Sequence, residues 1–306
     1  MISNNEAING WEEVLPRGTK LDGTYQIRSV LSSSALSVVY TAREISTREK
    51  VIVKELFPTV LAARGQDRRE VICPQRTLRP KFDEFRDAFL QEAVILQELM
   101  HPGIVRYIDH FEERGTVYLV MEFCEGTTLA QLLADKREGD LQLMHDTLLP
   151  LMDALNYIHT QGIIHRDIKP SNIMIGPQGE VKLLDFGSAV RYAEEDHPIF
   201  TTSGYSPLEF YSKKSRQGPV SDIYSVAAIM YRCCTGAPPP DVKQRLFEDT
   251  LVSAAGKGIT PLLDRIIRSG LALHPHKRCK SLGWFKRALR AEYLMKKRKL
   301  QRISVR

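Results

Sequence analysis

The sequence predicts an α+β fold in two parts: a smaller β-rich part carrying one main helix, then a larger, mostly helical part. Three observations predict it. Short apolar runs of strand type recur through residues 23–122, interrupted by one stretch of helical periodicity. From Thr128 on, apolar residues fall mainly at helical spacing. Inside that second part, the runs Ile173-Met174-Ile175 and Val181-Lys182-Leu183-Leu184 are joined by Gly176-Pro177-Gln178-Gly179, which reads as a hairpin.

The elements follow in order. Residues 1–22 read as a loose lead-in, with Trp11, Leu15 and Pro16 as docking points. Tyr25–Leu31, Val38–Ala42 and Val51–Lys54 read as three strands. An insert of about residues 55–82 carries Arg64, Arg68, Arg69, Arg76 and Arg79. It reads as a structured surface elaboration rather than a nucleic-acid site, because charge runs are usually solvated. Phe85, Phe89, Leu96 and Leu99 predict a helix over 85–99, and Thr116–Met121 a buried strand. Leu148, Leu151, Met152, Leu155 and His159 form a core-facing stripe. Asp222 stands where it caps a helix that Gly236 and Pro238 terminate. Later helices carry Leu262, Leu263, Ile266 and Ile267, then Trp284, Phe285 and Leu289.

Composition bounds the class. The 306 residues are 43 % hydrophobic and 26 % charged, enough chain and apolar content for a large core. Cys73, Cys124, Cys233, Cys234 and Cys279 show no paired CxxC spacing, which indicates a reducing cytosol rather than a disulfide framework or zinc site. The N-terminal residues lack the basic flank and apolar core of a signal peptide, and no apolar run approaches the roughly 18 residues of a membrane span. A cytoplasmic location is expected. The net charge of +6 gathers at the C-terminus, where Lys296, Lys297, Arg298 and Lys299 follow Glu292. That segment reads as a solvated helix end with a frayed tail, or as a contact for an anionic membrane surface; without aromatic interleaving it does not read as a nucleic-acid binder.

The chemistry gathers at His165-Arg166-Asp167-Ile168-Lys169-Pro170-Ser171-Asn172 and, after the hairpin, Asp185-Phe186-Gly187. The hairpin brings both to one end. Two carboxylates, an amide and a lysine are what phosphoryl transfer uses: one carboxylate orients and deprotonates a hydroxyl, a carboxylate and an amide hold magnesium, and a lysine neutralises the moving phosphate.

These residues resemble the catalytic and magnesium loops of protein kinases, and the opening Lys54-Glu55-Leu56-Phe57-Pro58 is similar to a group of bacterial-type (Hanks-type) Ser/Thr kinases. The resemblance covers roughly residues 25–290. It implies a bilobal kinase-like fold: N-lobe 23–122, C-lobe 123–290 and a basic tail 291–306. It also implies ATP and Mg²⁺, with Mn²⁺ as an alternative ion, and protein substrates; it leaves the oligomeric state open. Asp167 is expected as the base, Lys169 at the γ-phosphate, and Asn172 and Asp185 as metal ligands. Lys54 is expected at the α- and β-phosphates, paired with Glu92, which lies ten residues before Pro102. The nucleotide would lie against Leu31, Val39, Ile52, Met121, Met174 and the backbone of Glu122 and Cys124. Thr202 would bridge Asp167 and Lys169. Arg166 would receive a phosphate from Thr201, Thr202 or Ser203 on the activation segment. His165 would pack behind Phe186, Glu209 would pair with Arg278, and Asp222 would hold the catalytic-loop backbone.

The chain departs from the family at the phosphate-covering loop, where Ser32, Ser34 and Ser37 stand in place of three glycines. Glycine admits close phosphate approach and positive φ; serine gives a stiffer loop, with a hydroxyl to offer phosphate. Ile52, in place of alanine, narrows the expected adenine pocket. These departures leave open a pseudokinase or nucleotide-binding scaffold, and an enzyme of this fold that transfers AMP. The retention of Lys54, Glu92, Asp167, Lys169, Asn172 and Asp185 favours the Ser/Thr kinase.

Overall fold

The computed structural model describes residues 14–135, 140–194, 199–255 and 257–304. The chain divides into two compact units, residues 1–100 with 105–123, and residues 101–104 with 124–306.

The first unit is built on strands β1 (Lys20–Leu21), β2 (Tyr25–Ser33), β3 (Ser37–Glu44) and β4 (Lys50–Leu56), the short pair β5 (Ala63–Arg64) and β6 (Val71–Ile72), helix α1 (Arg79–Glu98), and strands β7 (Tyr107–Glu113) and β8 (Thr116–Glu122). Six strands form an antiparallel sheet in the order β1-β2-β3-β4-β8-β7. Val51, Val53, Val117, Leu119 and Val120 are fully or almost fully buried, as continuous apolar runs in central strands require. Helix α1 begins earlier than its periodicity suggests. Pro80 sits in its first turn, where a missing N–H costs nothing, and Phe82 adds a buried residue to the stripe.

The lead-in is not loose over its described residues. Leu15 and Leu21 are buried, the Leu15 N–H donates to the Tyr40 hydroxyl at 3.0 Å, and β1 pairs with β2 around Asp22-Gly23. Both turn residues have positive φ, the conformation a tight hairpin of this twist demands. Trp11 lies outside the described residues.

The second unit contains β9 (Thr127–Thr128), α2 (Leu129–Asp135), α3 (Leu141–Thr160), β10 (Ile163–Ile164), β11 (Ile173–Ile175), β12 (Val181–Leu183), β13 (Val190–Arg191), α4 (Pro219–Thr235), α5 (Val242–Phe247), α6 (Pro261–Gly270) and α7 (Leu282–Ser304). Strands β11 and β12 form the predicted hairpin, and β9 lies on the other side of β11. Helix α4 is buried almost throughout, from Ser221 to Tyr231, and Gly236 ends it in the left-handed conformation. Asp222 does not cap this helix. Gly218 is the N-cap and has no side chain to offer, and the Ser221 hydroxyl, one turn in, accepts the Gly218 N–H at 3.3 Å; the Asp222 carboxylate is engaged elsewhere.

The proposed boundary at residue 291 has no structural counterpart, since α7 runs through it. Glu292, the acid among the basic residues, is buried and accepts hydrogen bonds from the Thr260 N–H at 3.0 Å and hydroxyl at 2.5 Å, which fastens α7 to the start of α6. Beyond Tyr293 the side chains of residues 294–299 are exposed. Among the described residues no helix is long and apolar enough to cross a membrane.

Where the chain enters β9, Gly126 has φ +144, and an added Cβ would lie 2.2 Å from the Ile175 carbonyl oxygen. Gly126→Ala is expected to cost about 2–3 kcal/mol, by combined backbone strain and clash with a rigid strand. Thermal unfolding of the variant against wild type measures it.

Candidate active site

The candidate residues fall into two groups, one in each unit. In the first unit, pairing register decides which side chains share a face. Val39 lies opposite Lys54, Lys54 opposite Leu119, and Ile52 opposite Met121. Residues directly opposite in an antiparallel ladder point the same way, and residues two apart on a strand do so too. Val39, Ile52, Lys54 and Met121 therefore line one sheet face. The Lys54 ammonium donates to both Glu92 carboxylate oxygens, at 2.8 and 2.9 Å, with both side chains nearly buried. Charge-assisted bonds of this length between buried groups fix the lysine's position more than they stabilise the fold. The Glu122 N–H donates to the Arg106 carbonyl at 3.0 Å, so that donor is already committed within the strand edge.

The serine-bearing tip between β2 and β3 is tied up internally. The Ser34 hydroxyl donates to the Ser37 carbonyl at 3.1 Å and accepts the Ser37 and Leu36 N–H groups at 3.1 and 3.3 Å. It also lies 3.2 Å from the Ser37 hydroxyl. Ser34 thus turns into its own loop rather than outward, while Leu31 and Ser32 are exposed.

In the second unit, the loop after β10 and the loop after β12 meet at one end of the β11–β12 hairpin. Asp167 is the focus. Its carboxylate lies 2.7 Å from the Lys169 ammonium, accepts the Asn172 amide at 2.9 Å and accepts the Thr202 hydroxyl at 2.9 Å. Lys169 also lies 3.5 Å from the Thr202 hydroxyl. The Asn172 amide nitrogen donates a second time, to the Asp167 carbonyl at 2.9 Å, which turns the side-chain oxygen of Asn172 into the outward acceptor. The Leu184 N–H donates to the Asn172 carbonyl at 2.8 Å, so the residue before Asp185 is registered to the loop that carries Asn172. Asp185 is exposed at φ +54, and Met174 is half-buried on β11.

A metal fits this donor set. An amide oxygen and a carboxylate are hard oxygen ligands, and Mg²⁺ is commonly held by one or two such groups together with phosphates rather than by an all-protein cage.

One buried carboxylate supports the whole loop. Asp222 accepts the His165 and Arg166 N–H groups, each at 3.0 Å, and lies 2.8 Å from the His159 imidazole. Burial alone would push its pKa up; the hydrogen bond and charge of His159, with the His165 N–H, outweigh that and hold it below the ordinary 3.8. Arg166 sits at φ +68, a left-handed conformation that a non-glycine residue adopts only when its surroundings impose it. His165 stands edge-on to Phe186 with ring centroids 4.7 Å apart, and its imidazole is 3.0 Å from the Leu184 carbonyl.

Arg166 departs from expectation. Its side chain is buried, its guanidinium 5.2 Å from the Phe210 ring centre and 3.4 Å from the Ser188 carbonyl. Desolvation, opposed by Asp222, pushes its pKa down to about 10. It is enclosed rather than displayed to the exposed Thr201 and Ser203. Further along, Arg278 makes a two-pronged ion pair with Glu209, at 2.6 and 2.9 Å, and both residues are buried. Sequence reasoning did not find His159 as a partner of Asp222, nor Phe210 beneath Arg166. Helical spacing marks His159 only as core-facing, and nothing local marks Phe210.

The Protein kinase domain model matches residues 25–293, and the chain belongs to that family. Among curated relatives, the serine/threonine-protein kinase PknB of Mycobacterium leprae is 30 % identical over 274 residues, covering 84 % of this chain and 41 % of that protein. The MAP kinase kinase kinase wis4 of Schizosaccharomyces pombe is 33 % identical over 215 residues, covering 66 % of this chain and 14 % of that protein. The chain thus spans well under half the length of these relatives. A solved structure described as the apo form of PpkA-294 superposes with a TM-score of 0.79 at 30 % identity, covering 90 % of this chain and 99 % of that one.

Replacing Asp222 by Asn should lower stability by about 3 kcal/mol at neutral pH, since the donors it serves are buried. The pH dependence follows from the depressed pKa. The contribution of Asp222 is present above its unfolded-state value near 3.8 and is lost as pH falls through the lower folded value. Wild type should therefore lose stability more steeply than Asp222→Asn below about pH 4, read from urea midpoints across a pH series.

Proposed function

We propose that this chain is a serine/threonine protein kinase that transfers the γ-phosphate of ATP to protein hydroxyl groups. The observation that carries the reading is the Asp167 carboxylate held among Lys169, Asn172 and Thr202. Lys169 and Thr202 keep that carboxylate in one orientation, so that a substrate hydroxyl can donate to it and surrender its proton as its oxygen bonds the γ-phosphorus and the bond from that phosphorus to the bridging oxygen breaks, releasing ADP. Lys169 lies next to the base and offers its charge to the γ-phosphate. Lys54, held by Glu92, serves the α- and β-phosphates, and the face of Val39, Ile52 and Met121 takes the adenine. Asn172 and Asp185 would hold Mg²⁺, or Mn²⁺ in its place, which when bound neutralises phosphate charge. The serine/threonine preference rests on the relatives and on Lys169.

Autophosphorylation belongs to the same reading. The Thr202 hydroxyl is engaged by the Asp167 carboxylate itself, whereas Thr201 and Ser203, whose side chains bond Tyr211 and Asp241, are exposed and are the better acceptors. Incubation with γ-labelled and α-labelled ATP should give protein label from the γ position only. That label should fall at least about a thousandfold in Asp167→Asn and Asp185→Asn, the scale on which a base or a metal ligand contributes. Label from the α position would instead indicate AMP transfer, and absence of label with retained ATP binding a scaffold.

The end of α7 is proposed to contact an anionic membrane surface. Lys296, Lys297, Arg298 and Lys299 are exposed next to Leu294 and Met295. Each basic residue near such a surface contributes about 1 kcal/mol. The protein should co-sediment with phosphatidylserine vesicles at low salt, and reversal of these four charges to Glu should abolish it. Equal sedimentation of the two proteins would exclude the contact.

A further inference from the structure

The insert after Lys54 has no role in the chemistry described so far, yet its first residues touch the serine-bearing tip. The Phe57 N–H donates to the Leu36 carbonyl at 2.9 Å and the Thr59 N–H to the Ala35 carbonyl at 3.0 Å. The β3–β4 ladder already runs to its last pair, Ser37 opposite Leu56. The strand that delivers Lys54 therefore continues past it and stitches down the tip of the hairpin, and Ser34 knots that tip from inside.

The stitch is anchored on the opposite side of the sheet. Glu55, the neighbour of Lys54, points the other way and is wholly buried. Arg64 of the insert donates two bonds to its carboxylate, at 2.7 and 2.5 Å. Tyr40 and Tyr118 donate their hydroxyls to the same carboxylate at 2.8 and 2.9 Å. The Arg64 guanidinium also lies 4.6 Å from the centre of the buried Phe57 ring. Arg64 thus clamps both Glu55 and Phe57, and with them the segment whose N–H groups hold the tip.

We propose that the insert is a brace for the phosphate-covering hairpin, with Arg64 and Ser34 as positioning residues for the nucleotide. A glycine loop finds its phosphate-bound shape by flexing. Here the shape is set beforehand by two backbone hydrogen bonds, a hydroxyl knot and a buried ion pair, so nucleotide binding has less ordering left to do. This rests on the kinase reading for its nucleotide and on the distances alone for the brace.

The test measures the ATP KM and kcat of wild type, Ser34→Ala and Arg64→Met, together with hydrogen exchange, without nucleotide, of the amides of residues 34–37 and of Phe57 and Thr59, whose N–H groups make the stitch. Both variants should raise the ATP KM about fivefold, the size of effect that ordering a short loop has on a ligand, while kcat stays within about twofold. Exchange should quicken about tenfold over 34–37 in Ser34→Ala, and at Phe57 and Thr59 in Arg64→Met, whose altered side chain lies across the sheet from Lys54. A brace with no role at the nucleotide would leave KM at the wild-type value, and unchanged exchange would remove the brace itself; either result overturns the proposal. If Arg64→Met does not fold, Arg64→Lys, which keeps a charge beside Glu55 but loses the two-pronged bond, takes its place with the same expected results. If wild type shows no phosphoryl transfer, the kinase reading fails separately, and the ATP dissociation constants of the same proteins replace KM with the same expected ratio.

Discussion

A single carboxylate without solvent exposure, that of Asp222, holds the loop that carries Asp167 in a shape the backbone would not choose. Taking a carboxylate out of water costs several kcal/mol, and only good donors offset it. The His165 and Arg166 N–H groups and the His159 ring supply them. In return, the two amides are pinned to one point, Arg166 is forced to φ +68, and Asp167 follows at a defined place and angle. The same pinning aims His165 at the Leu184 carbonyl and the edge of Phe186, so that the segment bearing Asp185 is positioned by the segment bearing Asp167. Two residues at positive φ, Arg166 and Asp185, flank this arrangement, and strain of that kind persists only where surroundings over-determine it.

The first unit solves a related problem with the alternation of one strand. Lys54 and Glu55 are neighbours on β4 and so face opposite sides of the sheet. On one side Lys54 meets Glu92 from α1; on the other Glu55 meets Arg64, Tyr40 and Tyr118. Each charge has its own buried partner, and neither depends on surface ion pairs, which contribute little. The strand is held from both faces at two adjacent residues.

Two charged groups of the second unit do structural work. Glu292 stands in a run of basic residues and reads as one more surface charge, but it is buried and fastens two helices. The Glu209–Arg278 pair is fully desolvated and has further carbonyl acceptors from Ala272 and Leu273 around the guanidinium. Such pairs define which arrangement is adopted, and breaking one leaves a lone buried charge.

The sequence by itself determined the succession β2, β3, β4, α1, β8 and the main later helices, the β11–β12 hairpin, the α4 terminus and the gathering of Asp167, Lys169 and Asn172 in one loop, because all of these depend on residues close in the chain. Periodicity, turn glycines and a short polar loop carry that information locally. Strands β1, β5, β6 and the seven-residue edge strand β7 were not legible in the sequence. Only the tertiary structure decided that Asp222 serves the loop instead of capping its helix, that Arg166 is enclosed by Phe210, that the lead-in joins the sheet, and that the serine tip is stitched to the insert. Each of these depends on which distant donor reaches a given acceptor first. A carboxylate, a guanidinium or a hydroxyl has the same local signature whichever partner it finds, so the choice is made by packing.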